Sequence, residues 1–289
     1  MAPTHLAAAG ITVRFGGVTA LDDVSLRAGT DEVVGVIGPN GAGKTTLFNV
    51  ICGFVAADSG SLTWAGEPLS GHRPHQLARL GIGRTLQGVG LFAGLTALEN
   101  VMAGAHRYRR SRLLSTMLGL PRADRDERAL RAAARASLEH LGVADFADRR
   151  PGELPYPVQK RVALARALAG RPRLLMLDEP AGGLGEADMA ELGATIRGLR
   201  GEMGVLLVEH HMDLVMSVCD RVVVLDFGRV IAEGPPDAVR TDPRVLDAYL
   251  GVDAEPSPSP SLVAASSHPV RGGDPPGRGT RQPPAPDER

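Results

Sequence analysis

The chain has 289 residues, of which 43% are hydrophobic and 22% are charged, a balance typical of a globular protein with one large or two small domains. Its 32 lysines and arginines against 33 acidic residues give a net charge of -1, which argues against a general attraction to nucleic acid or anionic lipid. No apolar run approaches about 18 residues, and both cysteines lie in apolar segments, so we expect no membrane span, disulfide or cysteine metal site.

The first part of the chain predicts short strands, helices and tight turns. Alternating and β-branched apolar runs predict strands at residues 11–15, 18–26, 33–37 and 61–64. Helices are expected at residues 45–52 and around 74–80. We interpret the strand at 61–64 as the edge of a sheet, whereas the strand at 33–37 leads directly into a glycine-rich loop.

The middle of the chain, from about residue 92 to 168, has helical patterns and little strand. The clearest helix is predicted at 124–141, and its end at Gly142 suits a helix C-cap. Its apolar residues fall on one face, at Leu130, Ala134, Leu138 and Leu141. We therefore expect a helical subdomain here.

Strand patterns return in the last third of the chain, at residues 174–177, 205–208 and 222–225. Helical segments between them predict a parallel sheet with crossover connections. Beyond this region the composition changes to proline, glycine and serine, which cannot bury enough apolar surface to offset their ordering entropy. The sequence thus predicts a folded domain over residues 1–251 and a disordered tail over 252–289.

Residues 38–45, GPNGAGKT, fit the phosphate-binding pattern G-x-x-x-x-G-K-[ST] between a strand and a helix. The glycines let the backbone curl so that successive N–H groups point at a phosphate, and the helix N-terminus adds a favourable dipole. Lys44 is expected to reach the β- and γ-phosphates, and the Thr45 hydroxyl to bind Mg²⁺. The predicted cofactors are therefore ATP and Mg²⁺.

Polar residues follow two of the later strands. Asp178 and Glu179 end the apolar run LLML, where the first can hold Mg²⁺ through water and the second can orient or deprotonate the attacking water. His210 follows the strand at 205–208 and can contact the γ-phosphate, although a surface histidine pair is the alternative. Gln87 is informative only if it marks the passage from sheet to helices, and Phe15 fits a core position as well as an adenine platform.

The order of these motifs resembles that of an ABC transporter nucleotide-binding subunit. The segments VRFGGVTALDDVSL, GPNGAGKTTLFNVICGF, GRTLQGVGLF and AYLG resemble, more narrowly, the ATP-binding subunits of branched-chain amino acid importers. The resemblance covers about residues 8–251. It implies an α/β fold, with a P-loop NTPase (RecA-like) core, an antiparallel β-subdomain and an inserted helical subdomain.

The resemblance also implies a role for each matching residue. Phosphates are expected to bind at Gly38, Pro39, Asn40, Gly41, Ala42, Gly43, Lys44, Thr45 and Thr46. Phe15 would stack on adenine, and Mg²⁺ would contact Thr45, Gln87 and Asp178. Glu179 would be the catalytic base and His210 the switch residue, with Gln87 contacting the attacking water and sensing the permease.

The segment LPYPVQKR, residues 154–161, departs from the family's signature loop, Leu-Ser-Gly-Gly-Gln or Leu-Ser-Tyr-Gly-Gln. Pro155 replaces the serine, Pro157 the glycine and Val158 the glutamine. In the family, the serine hydroxyl and the N–H of the second glycine reach the γ-phosphate bound by the other subunit of the dimer. Pro155 has no hydroxyl and Pro157 has no N–H, so the resemblance implies that these hydrogen bonds are lost. The alternative, that both prolines simply begin a helix, can hold at the same time. Gly185 also stands where the family has Asp or Asn.

The resemblance implies a peripheral subunit on the cytoplasmic face of the membrane. Its expected partners are a second ABC ATPase, in a heterodimer, two membrane permeases, and an external substrate-binding protein acting through them, with no nucleic acid. The cargo would be a branched-chain or related amino acid. The alternatives are a regulatory subunit that binds ATP with little hydrolysis, and a soluble ABC-type ATPase unconnected to membranes.

Overall fold

The computed structural model describes residues 4–85, 88–105 and 121–253, and all of them belong to one compact unit, Met1–Ala254. Gln87 lies outside the described residues. So does the predicted tail at 252–289, except for its first two residues, which end a helix.

The described residues form ten strands and nine helices, each numbered in chain order. The strands are β1 (Thr4–Phe15), β2 (Val18–Gly29), β3 (Val33–Ile37), β4 (Ser59–Trp64), β5 (Glu67–Pro68), β6 (Ile82–Arg84), β7 (Leu174–Asp178), β8 (Gly204–Val208), β9 (Arg221–Asp226) and β10 (Arg229–Gly234). The helices are α1 (Lys44–Ile51), α2 (Leu77–Leu80), α3 (Ala97–Gly104), α4 (Pro121–His140), α5 (Tyr156–Ala169), α6 (Glu186–Gly198), α7 (Met212–Val218), α8 (Pro236–Arg240) and α9 (Pro243–Asp253). Short 3-10 turns lie at Pro74–Gln76, Ala144–Phe146 and Pro151–Glu153.

A six-stranded sheet forms the centre of the fold, in the order β10-β9-β3-β8-β7-β6. All neighbours in it run parallel except β10 and β9. Every residue of β3, β7 and β8 is buried, which explains why these strands are continuous apolar runs rather than alternating ones. The predicted parallel sheet is therefore confirmed, and its carboxyl ends meet along one edge.

A second sheet is antiparallel, in the order β2-β1-β4-β5. The prediction that residues 61–64 form its edge is wrong, because β4 pairs with β1 on one side and with β5 on the other. The edge strand is β5, which has only two residues and follows a tight turn at Ala65 and Gly66, both with positive φ. A two-residue strand leaves no periodic pattern to detect in a sequence.

Helices α3, α4 and α5 pack on one another. In the sequence they lie between β6 and β7 of the central sheet. Helix α4 confirms the predicted amphipathic segment, with Ala134, Leu138 and Leu141 buried as expected. Gly142 after it has φ 66°, the left-handed geometry that a C-cap requires.

The central sheet separates two hydrophobic clusters. Alternate residues of β3 point to opposite faces, so Val33 and Ile37 join the cluster shared with the helices, whereas Val34 and Val36 join the cluster shared with the antiparallel sheet. Among the described residues, no helix combines the length and the apolarity needed to cross a bilayer.

Candidate functional site

The phosphate-binding pattern lies in the loop between β3 and α1. Gly38 has φ 148°, and a Cβ there would lie 2.0 Å from the Leu225 carbonyl oxygen. Gly43 has φ 101°, and a Cβ there would lie 2.6 Å from the Ala20 carbonyl oxygen. Both positions therefore exclude side chains for steric as well as backbone reasons. The loop can thus take the tight curl that a phosphate cradle needs, ending at the N-terminus of α1.

Lys44, the first residue of α1, is buried beneath this loop. Its Nζ donates hydrogen bonds to the carbonyl oxygens of Gly38 at 2.6 Å and of Pro39 at 2.8 Å. Burial lowers the pKa of Lys44, and the nearby carboxylate of Glu179 opposes that shift. The ammonium group is thus held under the curl of the loop and near the carboxylate of Glu179.

The two carboxylates at the end of β7 lie in different environments. The Asp178 side chain is 3% exposed, and its Oδ2 accepts a hydrogen bond from Arg84 Nη2 at 3.1 Å. Glu179 is partly exposed and has φ 46°, a strained conformation for a residue with a side chain. Its N–H donates to the Val208 carbonyl oxygen at 2.9 Å, which ties it to the end of β8.

The strand register brings the predicted residues to one edge. Val208 pairs with Val36 of β3 on one side and with Asp178 of β7 on the other. The phosphate loop, the segment after β8 and the two carboxylates therefore begin at the same level of the sheet, one strand spacing apart. His210 follows β8, the strand that lies between β3 and β7, and its side chain is 52% exposed.

Glu209 is a residue that the sequence analysis missed. It is fully buried, and its Oε1 accepts a hydrogen bond from the Ala181 N–H at 2.7 Å. Its Oε2 accepts from the N–H of His210 at 3.0 Å and lies 3.0 Å from Nδ1 of His211. Glu209 therefore joins the loop after Glu179 to the segment that carries His210. An acid directly after an all-apolar strand was the available signal.

Glu209, His210 and His211 also place carboxylate and imidazole atoms within 4.8 Å of one another. Both Glu209 oxygens already accept hydrogen bonds from backbone N–H groups, so this arrangement favours a structural role over metal binding.

The remaining predicted residues lie in several places. Phe15 ends β1 and is 52% exposed, so it is not a core residue. Thr45 is exposed and Thr46 partly buried in the first turn of α1, while Asn40 and Gly41 are exposed in the loop. The hydroxyl of Thr45 and the carboxylate of Asp178 are oxygen donors of the kind that Mg²⁺ prefers, so the residues fit this ion. Gln87, as noted, is outside the described residues.

Both prolines of the LPYPVQKR segment lie at the start of α5. Pro155 is the N-cap residue and Pro157 the second residue of the helix, and no side chain caps the first turn. Helix formation, one of the two interpretations of these prolines, is confirmed. Tyr156, between them, reaches the next loop, where its hydroxyl donates to the Gly182 carbonyl oxygen at 3.3 Å.

Comparisons with known proteins agree with this geometry. A family model described as ABC transporter matches residues 21–182, and one described as branched-chain amino acid ATP-binding cassette transporter matches residues 229–255. The chain is 43% identical over 248 residues to the high-affinity branched-chain amino acid transport ATP-binding protein BraF of Pseudomonas aeruginosa, covering 85% of this chain and 97% of that protein. The chain belongs to the ABC transporter family. It is an ATP-hydrolysing subunit of a membrane transporter.

Solved ABC cassettes have the same fold. The ADP conformation of an ATP-binding cassette of an ABC transporter has a TM-score of 0.73 and 31% identity, covering 86% of this chain and 99% of that one. A dimeric ATP-binding cassette in a post-hydrolysis state, bound to ADP and Pi, has a TM-score of 0.68 and 25% identity, covering 80% and 98%. These structures confirm the expected fold, a P-loop core with an added β-sheet and inserted helices, as that of an ABC ATPase.

Proposed function

We propose that this ABC subunit binds Mg²⁺·ATP at the carboxyl edge of β3, β8 and β7 and that hydrolysis there drives import of branched-chain or related amino acids. The observation that carries the proposal is the convergence, at one sheet edge, of the phosphate loop, the carboxylates of β7 and His210. The cargo is suggested by a relative named as a branched-chain amino acid transport ATP-binding protein.

Each residue has a proposed role. Backbone N–H groups of residues 38–46 hold the phosphates, and Lys44 neutralises their charge. Thr45 and Asp178 would hold Mg²⁺, which would supply positive charge against the phosphate oxygens. Glu179 orients or deprotonates the attacking water, and His210 donates a hydrogen bond towards the γ-phosphate. Phe15 is proposed to stack on adenine and Gln87 to contact Mg²⁺ or the attacking water.

The proposed membrane partners are two permease subunits, with the ATPase on the cytoplasmic face. A groove of about 450 Å³ lies between β6 and helices α3 and α5. Most of its lining residues are apolar, Arg84 and Arg166 are also among them, and two exposed rings, Phe54 and Phe92, lie at its surface. We assign this groove to a cytoplasmic segment of a permease, because exposed apolar surface of this kind marks a protein–protein contact and the chain is a subunit of a membrane transporter. A substrate-binding protein would act through the permeases.

We further propose a division of the chain and an asymmetric assembly. Residues 1–251 form the ATPase domain, with a helical subdomain at about 92–168, and 252–289 are a disordered Pro-rich tail. The second ATPase is a different chain. In such a dimer the signature loop serves the partner's nucleotide, so Pro155 and Pro157 slow only the site on the partner's P-loop.

The proposed cargo is tested by reconstituting the full complex in proteoliposomes with ATP inside and measuring uptake of labelled leucine. We expect uptake that needs Mg²⁺ and this subunit, and that unlabelled isoleucine or valine competes away. ATP-driven uptake of a different solute, with none of leucine, would contradict the assigned cargo and keep the transport role. Absence of any ATP-driven uptake would contradict the transport proposal itself.

A further inference from the structure

Arg84, the last residue of β6, lies between the proposed metal carboxylate and the groove. Its Nη2 donates a hydrogen bond to Asp178 Oδ2 at 3.1 Å, and the two side chains are 12% and 3% exposed. A buried ion pair of this kind holds both groups in a defined geometry, because moving either one leaves a charge without its partner. The register of β6 against β7, with Arg84 opposite Met176, places the guanidinium within reach of the strand's end.

The same guanidinium contacts the groove. Its central carbon lies 5.3 Å from the centroid of the Phe54 ring, within the range of a cation–π contact. Phe54 is 57% exposed and lines the groove that we assign to a permease. One side chain therefore contacts both the proposed metal ligand and an aromatic ring that a partner would cover.

The other contacts of the guanidinium are weaker. Nη1 faces Asn49 Oδ1 only at 3.5 Å, and Nε is buried with no hydrogen-bond partner among the described residues. The position of Arg84 thus depends mainly on Asp178 at one end and on the Phe54 ring at the other, with weaker contacts to Asn49 and to the Cys52 thiol. Arg84 donates a hydrogen bond to Oδ2 of Asp178, and no described residue donates one to Oδ1. Oδ1 is therefore available to bind the metal.

We propose that Arg84 is a positioning residue that makes the Mg²⁺ affinity of the site depend on the position of Phe54 in the groove. When the ring holds the guanidinium, Arg84 binds Oδ2 alone. When the ring moves, the guanidinium can bond both oxygens and compete with the metal. The regulatory part of this inference rests on the proposed function of the groove.

The chain offers a matched control in the same groove. The Arg166 guanidinium carbon lies 5.9 Å from the centroid of the Phe92 ring, which is 56% exposed. Arg166 Nη1 donates to the Gly90 carbonyl oxygen at 2.7 Å and forms no hydrogen bond or ion pair with Asp178. Truncating Phe92 therefore removes a similar aromatic–arginine contact without reaching the metal carboxylate.

The test titrates Mg²⁺ into the purified full chain with a fluorescent ATP analogue, and it needs no partner. We expect Phe54→Ala to raise the half-saturating Mg²⁺ concentration about threefold, the size of a lost cation–π contact, and to leave analogue binding in EDTA unchanged. Phe92→Ala is expected to change the same concentration by less than about 1.5-fold. Equal shifts in the two variants would overturn the proposal.

A double-mutant cycle then asks whether the effect passes through Arg84. In chains carrying Arg84→Met or Arg84→Lys, adding Phe54→Ala is expected to shift the half-saturating Mg²⁺ concentration by less than about 1.5-fold. A shift that persists undiminished would overturn the role of Arg84. Thermal unfolding identifies a variant that fails to fold, and the lysine variant, which keeps the charge, then carries the test. Binding of Phe92→Ala to the permeases tests the groove assignment separately.

Discussion

At the scale of single residues, Glu209 connects the two segments that carry the proposed base and the switch histidine. Its carboxylate accepts hydrogen bonds from the N–H of Ala181, two residues after Glu179, and from the N–H of His210. Hydrogen bonds to a buried charged group contribute about 1.5–3 kcal/mol each. Glu209 thus holds the segments that carry Glu179 and His210 in register with each other, and it is itself fully buried.

Glu209→Gln keeps the shape of the side chain but presents an amide NH₂ to one of the N–H donors. We expect the rate of ATP hydrolysis to fall by about tenfold to a hundredfold, with Mg²⁺·ATP affinity changed by less than about threefold. Steady-state hydrolysis and equilibrium nucleotide binding are measured on the same preparation. Glu202→Gln, at an exposed turn, is the control. A variant that hydrolyses at the wild-type rate would refute this role of Glu209.

At the scale of elements, the start of α5 combines a favourable helix beginning with a poor phosphate site. Prolines suit the first turn because their fixed φ matches the helix and their missing N–H has no helical partner there. The same missing N–H cannot bind a phosphate. Stability and the proposed cross-dimer function therefore make opposite demands on these two positions.

Replacing Pro155 with Ser and Pro157 with Gly should separate these demands. In a complex where Glu179→Gln silences this chain's own site, we expect turnover at the partner's site to rise by about tenfold to a hundredfold. The free energy of unfolding of the chain should fall by about 1–2 kcal/mol, because the unfolded chain gains freedom. Pro235 and Pro236, at the start of α8, offer a matched pair whose replacement should lower stability alone. Unchanged turnover at the partner's site would show that the signature prolines impair nothing.

Local patterns made several elements predictable. The strand β3, its glycine loop and α1 follow from a β-branched run, a fixed motif and helical spacing within 19 residues, 33–51. Short strands such as β5 and β6, of two and three residues, leave too little pattern, and the sequence analysis also did not predict β10. The alanine-rich beginning of β1 has little strand propensity and becomes a strand through its long pairing with β2.

The site residues also divide into those that could be predicted from the sequence and those that could not. Asp178, Glu179 and His210 could be selected from the sequence because each follows an apolar run that becomes a buried strand of one sheet. The contacts of Arg84 and Glu209 join segments that are distant in sequence. Arg84 and Asp178, for example, are 94 residues apart. Such contacts depend on register, which a single sequence does not reveal.

At the scale of the whole molecule, the parallel order β9-β3-β8-β7-β6 brings three separate polar segments to one edge of the sheet. We propose that this edge of the sheet is a hydrolytic site, completed by a partner with its own signature loop. Since the partner's own site is expected to be slow, most of the turnover of the assembly should depend on Glu179.

The most direct test measures ATP hydrolysis and Mg²⁺·ATP binding by the assembled transporter with wild-type chain, with Glu179→Gln, and with the exposed control Glu186→Gln. We expect Glu179→Gln to lower the rate about tenfold to a hundredfold, with the slow partner site supplying the remainder, while nucleotide affinity stays within about threefold, since the lost group acts on the attacking water. The control should keep the wild-type rate. Hydrolysis by the Glu179→Gln assembly at the wild-type rate, or binding without hydrolysis by the wild-type assembly, would show that this edge of the sheet is not the hydrolytic site.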